Sequence, residues 1–597
     1  MKTPLHIVLM LVDELGTGDL PWSDPLIHAP TIQALGEGGL RLGHQYAWHW
    51  CAPTRGALLT GRFPMHSGYI AGGMPGDGEG VDLRLPLLPG ELKTAAPSYA
   101  THMLGKYHLG FRTEANLPTS RGFDSFLGLL AGGADHYNNA LEACGGDGEN
   151  CTCRGSNHSS TTLPFRIDFT DGTAPAKDLW DETTYDAYQF GARAVKLVEE
   201  HDAAKPFFLY WAPHKVHSPL QSPAEFLVHY PDDDGKCSST PETCNARGYG
   251  TGAVRPGSGC GCANMCYCNR RIVRGMVTAV DAMLTNLTVA LKANANMWSN
   301  TLVIFLGDNG GPSNNANYNT EFKGQKFGHW EGGHRVPCFI GGPALTKLSL
   351  YSQSPSSTEV AAGGSSPISS PLAGRWYNET VHLVDLHATI LALAGVEVAA
   401  HPAGVAAVDG FSLLPILNGS KPLATVLRPN NGELWIVDDA LRIGDYKIIT
   451  GKGTAQITNG GCSLLGLGGL PVGLPRDPKN LSTFCGPVSK CHGNETGGDA
   501  LICSECKCTS YSPVYNATAK GAAQCMPCVF NVRSDPGETI NLAAMLDKPE
   551  EVKRLATMTK RLVELRKGTV TPAYPADDNQ AACDAMVAAG GFYVPWV

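Results

Sequence analysis

Three short, almost wholly apolar runs, His6–Val12, Pro206–Trp211 and Leu302–Leu306, constrain this chain more than any other feature. An alternating strand can leave one face in water, whereas a continuous apolar run reads as a strand covered on both faces. Amphipathic segments suited to supply that cover lie at Tyr185–Glu200, Arg270–Ala295 and Thr380–Ala394. Strands alternating with helices predict a three-layer α/β domain with a mostly parallel central sheet. In such sheets ligands gather at the carboxyl ends of the strands. Asp13-Glu14 follows the first run, His214 to His217 the second and Asp308-Asn309 the third.

A chain of 597 residues exceeds one ordinary domain, so a large core with a smaller companion is expected. Ser349–Gly374, rich in Ser, Gly, Ala and Pro, reads as a loop, and a similar dilution at Ala399–Gly410 precedes Phe411-Ser412-Leu413-Leu414-Pro415. The boundary is placed near residue 425, giving a larger domain over 1–425 and a small α+β domain over 426–597. In the latter, Glu433–Val437 and Ala440–Thr450 read as paired strands, and a Cys/Gly-rich excursion runs to about residue 528. Pro549–Lys567 reads as a helix with its charges on one face.

A formal charge of −9, from 46 basic and 55 acidic residues, gives no basic footprint for nucleic acid. An anionic ligand would have to be held by local positive charge. Twenty cysteines suit an oxidising compartment. They cluster at Cys144, Cys151 and Cys153, at six positions from Cys237 to Cys268, and at eight from Cys462 to Cys528. Cys503-x₂-Cys506 and Cys525-x₂-Cys528 have zinc-ribbon spacing, but the crowding of other cysteines and the sequon at Asn516 favour disulfides. Setting Cys51 aside leaves an odd number, and Cys338, in the strand-like Arg335–Ile340, is the candidate for a free buried thiol.

Acceptor sequons at Asn150, Asn157, Asn286, Asn378, Asn418, Asn480, Asn494 and Asn516 agree with a secretory route, ending outside the cell or in the lysosome. After Met1 the chain soon enters the apolar Leu5–Val12, read as a core strand; no signal peptide is expected within this sequence, and the run is too short to span a bilayer.

The stretch from Cys51 to Arg62 carries Pro53, Arg55 and Leu59-Thr60-Gly61-Arg62 after a cysteine. Pro53 suits the first turn of a helix, where its missing N–H is no loss. Cys51 would then sit at a helix N-terminus, whose free N–H groups and dipole favour an anion, with Arg55 about one turn on. Asp13, Glu14, Asp308 and Asn309 offer hard oxygen ligands at two strand ends, a set that suits Ca²⁺. Lys106 and His108 stand in Gly105–Gly110, and Lys326 in Lys323–Gly333, pairing a fixed charge with a proton-exchanging imidazole.

Taken in order over residues 4–345, these blocks resemble the type I sulfatases, with the Pro118–Gly128 segment containing Arg121-Gly122-Phe123-Asp124 and the Trp330-Glu331-Gly332-Gly333 ending also similar. The resemblance implies an alkaline-phosphatase-like sandwich and a nucleophile made when a formylglycine-generating enzyme oxidises Cys51 to an aldehyde. It implies Asp13, Glu14, Asp308, Asn309 and the formylglycine as Ca²⁺ ligands. Arg55 and Lys106 would hold the aldehyde hydrate, with Asp308 as base, and Lys106, Lys326 and His217 would bind sulfate. Lys326 and His217 would also protonate the leaving alcohol, and His108 would take the proton that releases sulfate; His214 is left to a structural role. Glu14 stands where the family has Asp, and Phe327 where it has Gly. The segments Ala440–Ile449 and Asn531–Leu542 resemble the family's closing strands, and Cys583 with Phe592-Tyr593-Val594-Pro595-Trp596 resembles the arylsulfatase B branch, which acts on sulfated N-acetylgalactosamine in glycosaminoglycans.

The expected substrate is a small sulfated molecule or an exposed end of a sulfated glycan, because no Lys/Arg run marks a track for a polyanion. Two other readings stand beside it: a phosphonate monoesterase or phosphodiesterase of the same fold, and a sulfatase-like glycan-binding protein without activity.

Overall fold

In the computed structural model the first apolar run is strand β1 (His6–Val12), buried at every residue. It pairs in parallel with β7 (Phe207–Ala212) and β8 (Thr301–Gly307), which are the other two runs. Ile7, Leu9 and Leu11 enter one apolar cluster and Val8, Met10 and Val12 another, so β1 is covered on both sides. Each such side chain contributes about 1.5–3 kcal/mol, which is why the run needs no polar face. The description covers residues 5–70, 80–140, 167–181, 183–231, 262–350, 370–397, 404–450, 527–545, 547–570 and 579–597.

The sheet is completed by β2 (Leu40–Tyr46), β3 (Ala100–Lys106), β4 (Ser125–Leu129), β5 (Thr170–Asp171), β6 (Ala174–Pro175), β9 (Cys338–Gly341) and β10 (Arg375–His382). Its order is β10-β2-β9-β8-β1-β7-β3-β4-β5-β6. β9 runs against both neighbours and β5 against β4, while β2, β8, β1, β7, β3 and β4 point the same way. The helices Pro30–Glu37, Asp186–Glu199 and Cys262–Ala293 cover one face, and Cys51–Thr60 with Leu383–Leu393 the other. This is the α/β sandwich expected from the apolar runs. Thr380–Ala394, read as one amphipathic segment, is strand as far as His382 and helix from Leu383, with the Asp385 carboxylate accepting the His382 backbone N–H to close the helix start. Within Cys262–Ala293, the segment Asn269–Ala293 is long and apolar enough to cross a membrane, but most of it is buried against the sheet, which accounts for its composition.

A second, antiparallel sheet joins β11 (Leu434–Val437), β12 (Ala440–Ile443), β13 (Tyr446–Ile449) and β14 (Cys528–Asn531). The expected single strand over Ala440–Thr450 is in fact a hairpin, β12–β13. Ile443 pairs with Tyr446, leaving Gly444-Asp445 as a two-residue turn in which Gly444 takes the left-handed φ of +58°. The helix Pro549–Arg566 buries Leu555, Met558 and Leu562 in the core of this sheet, together with Tyr46, Trp48, Phe63, Met65 and Trp330. Residues 579–597 return to the large sheet, where Met586 and Tyr593 join one apolar cluster and Phe592 the other.

Lys447 Nζ on β13 lies 3.0 Å from Glu331 Oε1 and 2.9 Å from Glu538 Oε1, all buried. Glu331 also accepts from Tyr46 Oη at 2.6 Å, and its backbone N–H donates to Glu538 at 2.6 Å. The small sheet thereby anchors the loop that carries Lys326. In that loop a Cβ on Gly333 would lie 2.1 Å from the Gly328 carbonyl oxygen, so the Glu331-Gly332-Gly333 sequence is a requirement of close backbone packing.

Cys51 and Cys338 carry free buried thiols, and Cys528 is disulfide-bonded, which speaks against zinc at that position. The remaining cysteines lie outside the residues whose side chains are described, as do the sequons at Asn150, Asn157, Asn480, Asn494 and Asn516. Asn286 and Asn378 are exposed, and Asn418 is half-buried.

Candidate active site

Five strands pointing the same way deliver the polar residues to one rim. Asp13 and Glu14 follow β1, Cys51 opens the helix after β2, Lys106 ends β3, His214 to His217 follow β7, and Asp308-Asn309 follows β8. The helix Cys51–Thr60 begins at Cys51 itself, and Trp50, its N-cap, makes no side-chain hydrogen bond to it. Its first N–H groups therefore lack the usual Ser, Thr or Asp cap that would compete with an anion. Gly61, at a φ of +69°, ends the helix.

The Cys51 thiol donates to Asp13 Oδ1 at 3.4 Å, and Lys106 Nζ donates to Asp13 Oδ2 at 2.6 Å. Arg55 donates to Asp308 Oδ2 at 2.7 Å and to the Lys106 carbonyl at 2.8 Å, and lies 3.6 Å from Asp13. Asp308 Oδ1 accepts the Glu14 backbone N–H at 3.0 Å. Asp13, not Asp308, is thus the carboxylate bonded to Cys51. Glu14 Oε1 bonds to Lys326 Nζ and lies 3.1 Å from His217 Nε2, and Lys326 Nζ is 3.4 Å from that same Nε2. His217 Nδ1 is 2.7 Å from the Ser218 carbonyl, which fixes the proton on Nδ1 and turns the Nε2 lone pair toward Lys326.

Burial sets the protonation states first and neighbours second. Burial, then the Asp13 charge, push the Cys51 thiol up to about 12. Burial alone would raise Asp13 too, but the Lys106, Arg55 and Lys326 cations together hold it well below the usual carboxylate range. Glu14 is raised by burial to about 7 although Lys326 opposes the shift, and burial with the Asp13 charge also raises Asp308. Burial, reinforced by Lys326 at His217 and by Lys106 and Arg55 at His108, keeps both imidazoles neutral at pH 7.

A divalent cation fits this donor set. The Asn309 Oδ1 and Glu14 Oε2 oxygens are buried without a hydrogen-bond partner beside two further carboxylates. Ligand atoms of Asp13, Cys51 and His217 also lie within 4.8 Å of one another. Glu14 reaches this position with a φ of +58°, a left-handed conformation that a residue with a Cβ rarely adopts.

Sequence reading did not foresee the support behind the site. The Asp13 N–H donates to the Lys215 carbonyl at 2.7 Å, and the Val216 N–H to the Asp13 carbonyl at 2.6 Å. The Lys215 ammonium is bonded to Asp186 and lies 3.0 Å from His136 Nδ1, while His136 Nε2 is 3.0 Å from the His217 carbonyl. Asp186, Lys215 and His136 therefore fix both Asp13 and His217 from behind. His214 packs its ring 5.0 Å from His217 and 4.7 Å from His136, with neither nitrogen hydrogen-bonded. Positions 136, 186 and 215 are far apart in sequence, and no local pattern joins them.

The family model described as Sulfatase matches residues 6–396. Mouse arylsulfatase J is 26% identical over 468 residues, covering 75% of this chain and 64% of that protein. The chain thus spans a little under two thirds of that relative. Mouse N-acetylgalactosamine-6-sulfatase is 26% identical over 465 residues, 74% of this chain and 71% of that protein. Among solved structures, the PsFucS1 sulfatase from Pseudoalteromonas sp. shares the fold with a TM-score of 0.58 at 22% identity, over 96% of this chain and 92% of that one. With the family model spanning about two thirds of the chain and every residue of the strand-end site, the chain belongs to the sulfatase family, a family of sulfuric ester hydrolases.

Proposed function

We propose that this protein hydrolyses sulfate esters with a nucleophile made from Cys51. The observation that carries this reading is the Cys51 thiol at an uncapped helix start, donating to Asp13 while Arg55, Lys106 and Lys326 converge on the neighbouring carboxylates. A sulfate ester is anionic and its alkoxide leaves poorly, so catalysis needs charge screening, a positioned nucleophile and a proton for the departing oxygen. A thiol held protonated up to about 12 is a poor nucleophile as it stands. Oxidised to formylglycine, Cys51 would supply a hydrated aldehyde whose hydroxyl attacks sulfur. Asp13, Glu14, Asp308 and Asn309 would hold a calcium ion, which adds positive charge beside the sulfate.

The remaining steps fall to the chain's own groups. Lys106 and Arg55 hold Asp13 ionised, Arg55 holds Asp308 in place, and Asp308, raised by burial, is the nearby base. Lys326 and His217 bind sulfate, and the Lys326 ammonium, 3.4 Å from His217 Nε2, supplies the proton for the leaving alcohol. Neutral His108, with its Nδ1 unpartnered, is the second proton acceptor. Every one of these residues precedes position 425, the proposed domain boundary. We also propose passage through the secretory pathway, supported by the disulfide at Cys528 and the exposed sequons at Asn286 and Asn378, and a place near the arylsulfatase B branch, supported by the chain's ending.

Protein coexpressed with the converting enzyme should release sulfate from 4-nitrophenyl sulfate faster than it cleaves 4-nitrophenyl phenylphosphonate; the reverse order would favour the phosphonate monoesterase reading. Glu14→Gln should weaken calcium binding about tenfold by calorimetry, since one ligand charge is lost. Unchanged affinity would take Glu14 out of the ligand set. Small esters or chain ends should be hydrolysed with higher kcat/KM than internal positions of a sulfated polysaccharide, and faster internal release would reveal a basic groove assembled in space.

A further inference from the structure

The loop that brings Lys326 to the site carries an aromatic residue at a position where glycine is favoured. The Gly328 N–H donates to the Gln325 carbonyl at 2.9 Å, closing a four-residue turn whose third residue, Phe327, has a φ of +70°. Turns of that kind favour glycine there, and a bulky side chain in the left-handed region is strained. The ring is not repaid by core burial: Phe327 is 48% exposed. Strain retained at an exposed aromatic next to a catalytic candidate points to a use outside folding.

The geometry shows what the ring adjoins. The Phe327 N–H donates to the His49 carbonyl at 2.7 Å, tying the turn to the segment that leads into Cys51. The Phe327 and Trp50 rings lie 6.2 Å apart at 43°, and Lys326 Nζ is 5.2 Å from the Phe327 ring centroid. One ring thus belongs to the residue before the nucleophile, and the other to the residue after the sulfate-binding lysine. Trp50 is half-buried and packs against the core of the small sheet.

We propose that Phe327 and Trp50 form an aromatic rim that packs against the alcohol half of the ester and selects alcohols carried on a flat-faced ring, aryl or pyranose, over small alkyl alcohols. The inference rests on the sulfatase reading. An ester whose sulfate lies among Lys106, Lys326 and Cys51 must project its alcohol past the neighbouring residues, and C–H and π faces pack favourably on aromatic rings. The rim thus supplies selectivity by shape and dispersion, without the basic track that the sequence lacks.

The test uses the full chain with Cys51→Ala, so that esters are bound and not consumed, and calorimetric affinities for methyl sulfate, 4-nitrophenyl sulfate and galactose 6-sulfate. Adding Phe327→Gly should reduce the preference for a ring ester over methyl sulfate about five- to tenfold. Phe327→Asn, which also tolerates left-handed backbone, should do the same, separating loss of the ring from loss of loop stiffness. Loss confined to the aryl ester, or to the sugar ester, identifies the ring that the rim accepts. An unchanged preference in both variants overturns the rim while leaving the sulfatase reading intact. Failure of the Cys51→Ala parent to bind any of the three esters or inorganic sulfate overturns that reading, and the rim with it.

Discussion

Cys51→Ala should abolish sulfate-ester turnover, lowering kcat/KM by about a thousandfold or more, because the proposed nucleophile is removed while the surrounding charges remain. The fold survives the change. Cys51 is buried at the first position of its helix, and its thiol makes a single 3.4 Å bond to Asp13. Alanine keeps the helix start and loses one sulfur, a change of about 1 kcal/mol in stability. Initial rates on 4-nitrophenyl sulfate together with thermal unfolding check both halves. A tenth of the parental rate retained by a folded variant would remove Cys51 from the mechanism.

The largest stability effect is expected at Arg55. Its guanidinium is wholly buried and holds Asp308 at 2.7 Å, Asp13 at 3.6 Å and the Lys106 carbonyl at 2.8 Å. Arg55→Met keeps much of the volume but leaves two buried carboxylates short of a cation, which costs about 3–5 kcal/mol. A divalent cation neutralises the same pair, so calcium should restore part of the loss by binding the folded state alone. Urea denaturation of parent and variant, each with calcium and with chelator, measures both terms. Equal stability of parent and variant in chelator would mean that Arg55 does not hold the carboxylates together.

Much of this organisation is legible in the amino-acid sequence. Continuous apolar runs this short read as strands covered on both faces, and β1, β7 and β8 lie side by side in the middle of the sheet. The Cys51–Arg62 pattern and the oxygen-ligand pairs Asp13-Glu14 after β1 and Asp308-Asn309 after β8 are readable because they are local: a few consecutive residues hold the whole signal. What could not be read was support assembled from distant parts. Asp186, Lys215 and His136 meet behind His217 only after a helix, a strand end and a loop have packed. The β12–β13 hairpin was missed because Gly444-Asp445 is a minimal turn inside an otherwise strand-like run. Glu14 illustrates the intermediate case. Its place after β1 was plain, but its left-handed backbone and its bond to Lys326 are properties of the assembled site.

On the proposed mechanism Cys51 acts only after conversion to an aldehyde. Mass spectrometry of the proteolytic peptide that contains Cys51, on preparations made with and without the formylglycine-generating enzyme, tests it most directly when each preparation is also assayed for sulfate release. The fraction of peptide carrying a carbonyl, captured by a hydroxylamine reagent, should rise in proportion to sulfatase rate, and protein with an unmodified thiol should be inactive. Full sulfate release from protein whose Cys51 remains a thiol would contradict it.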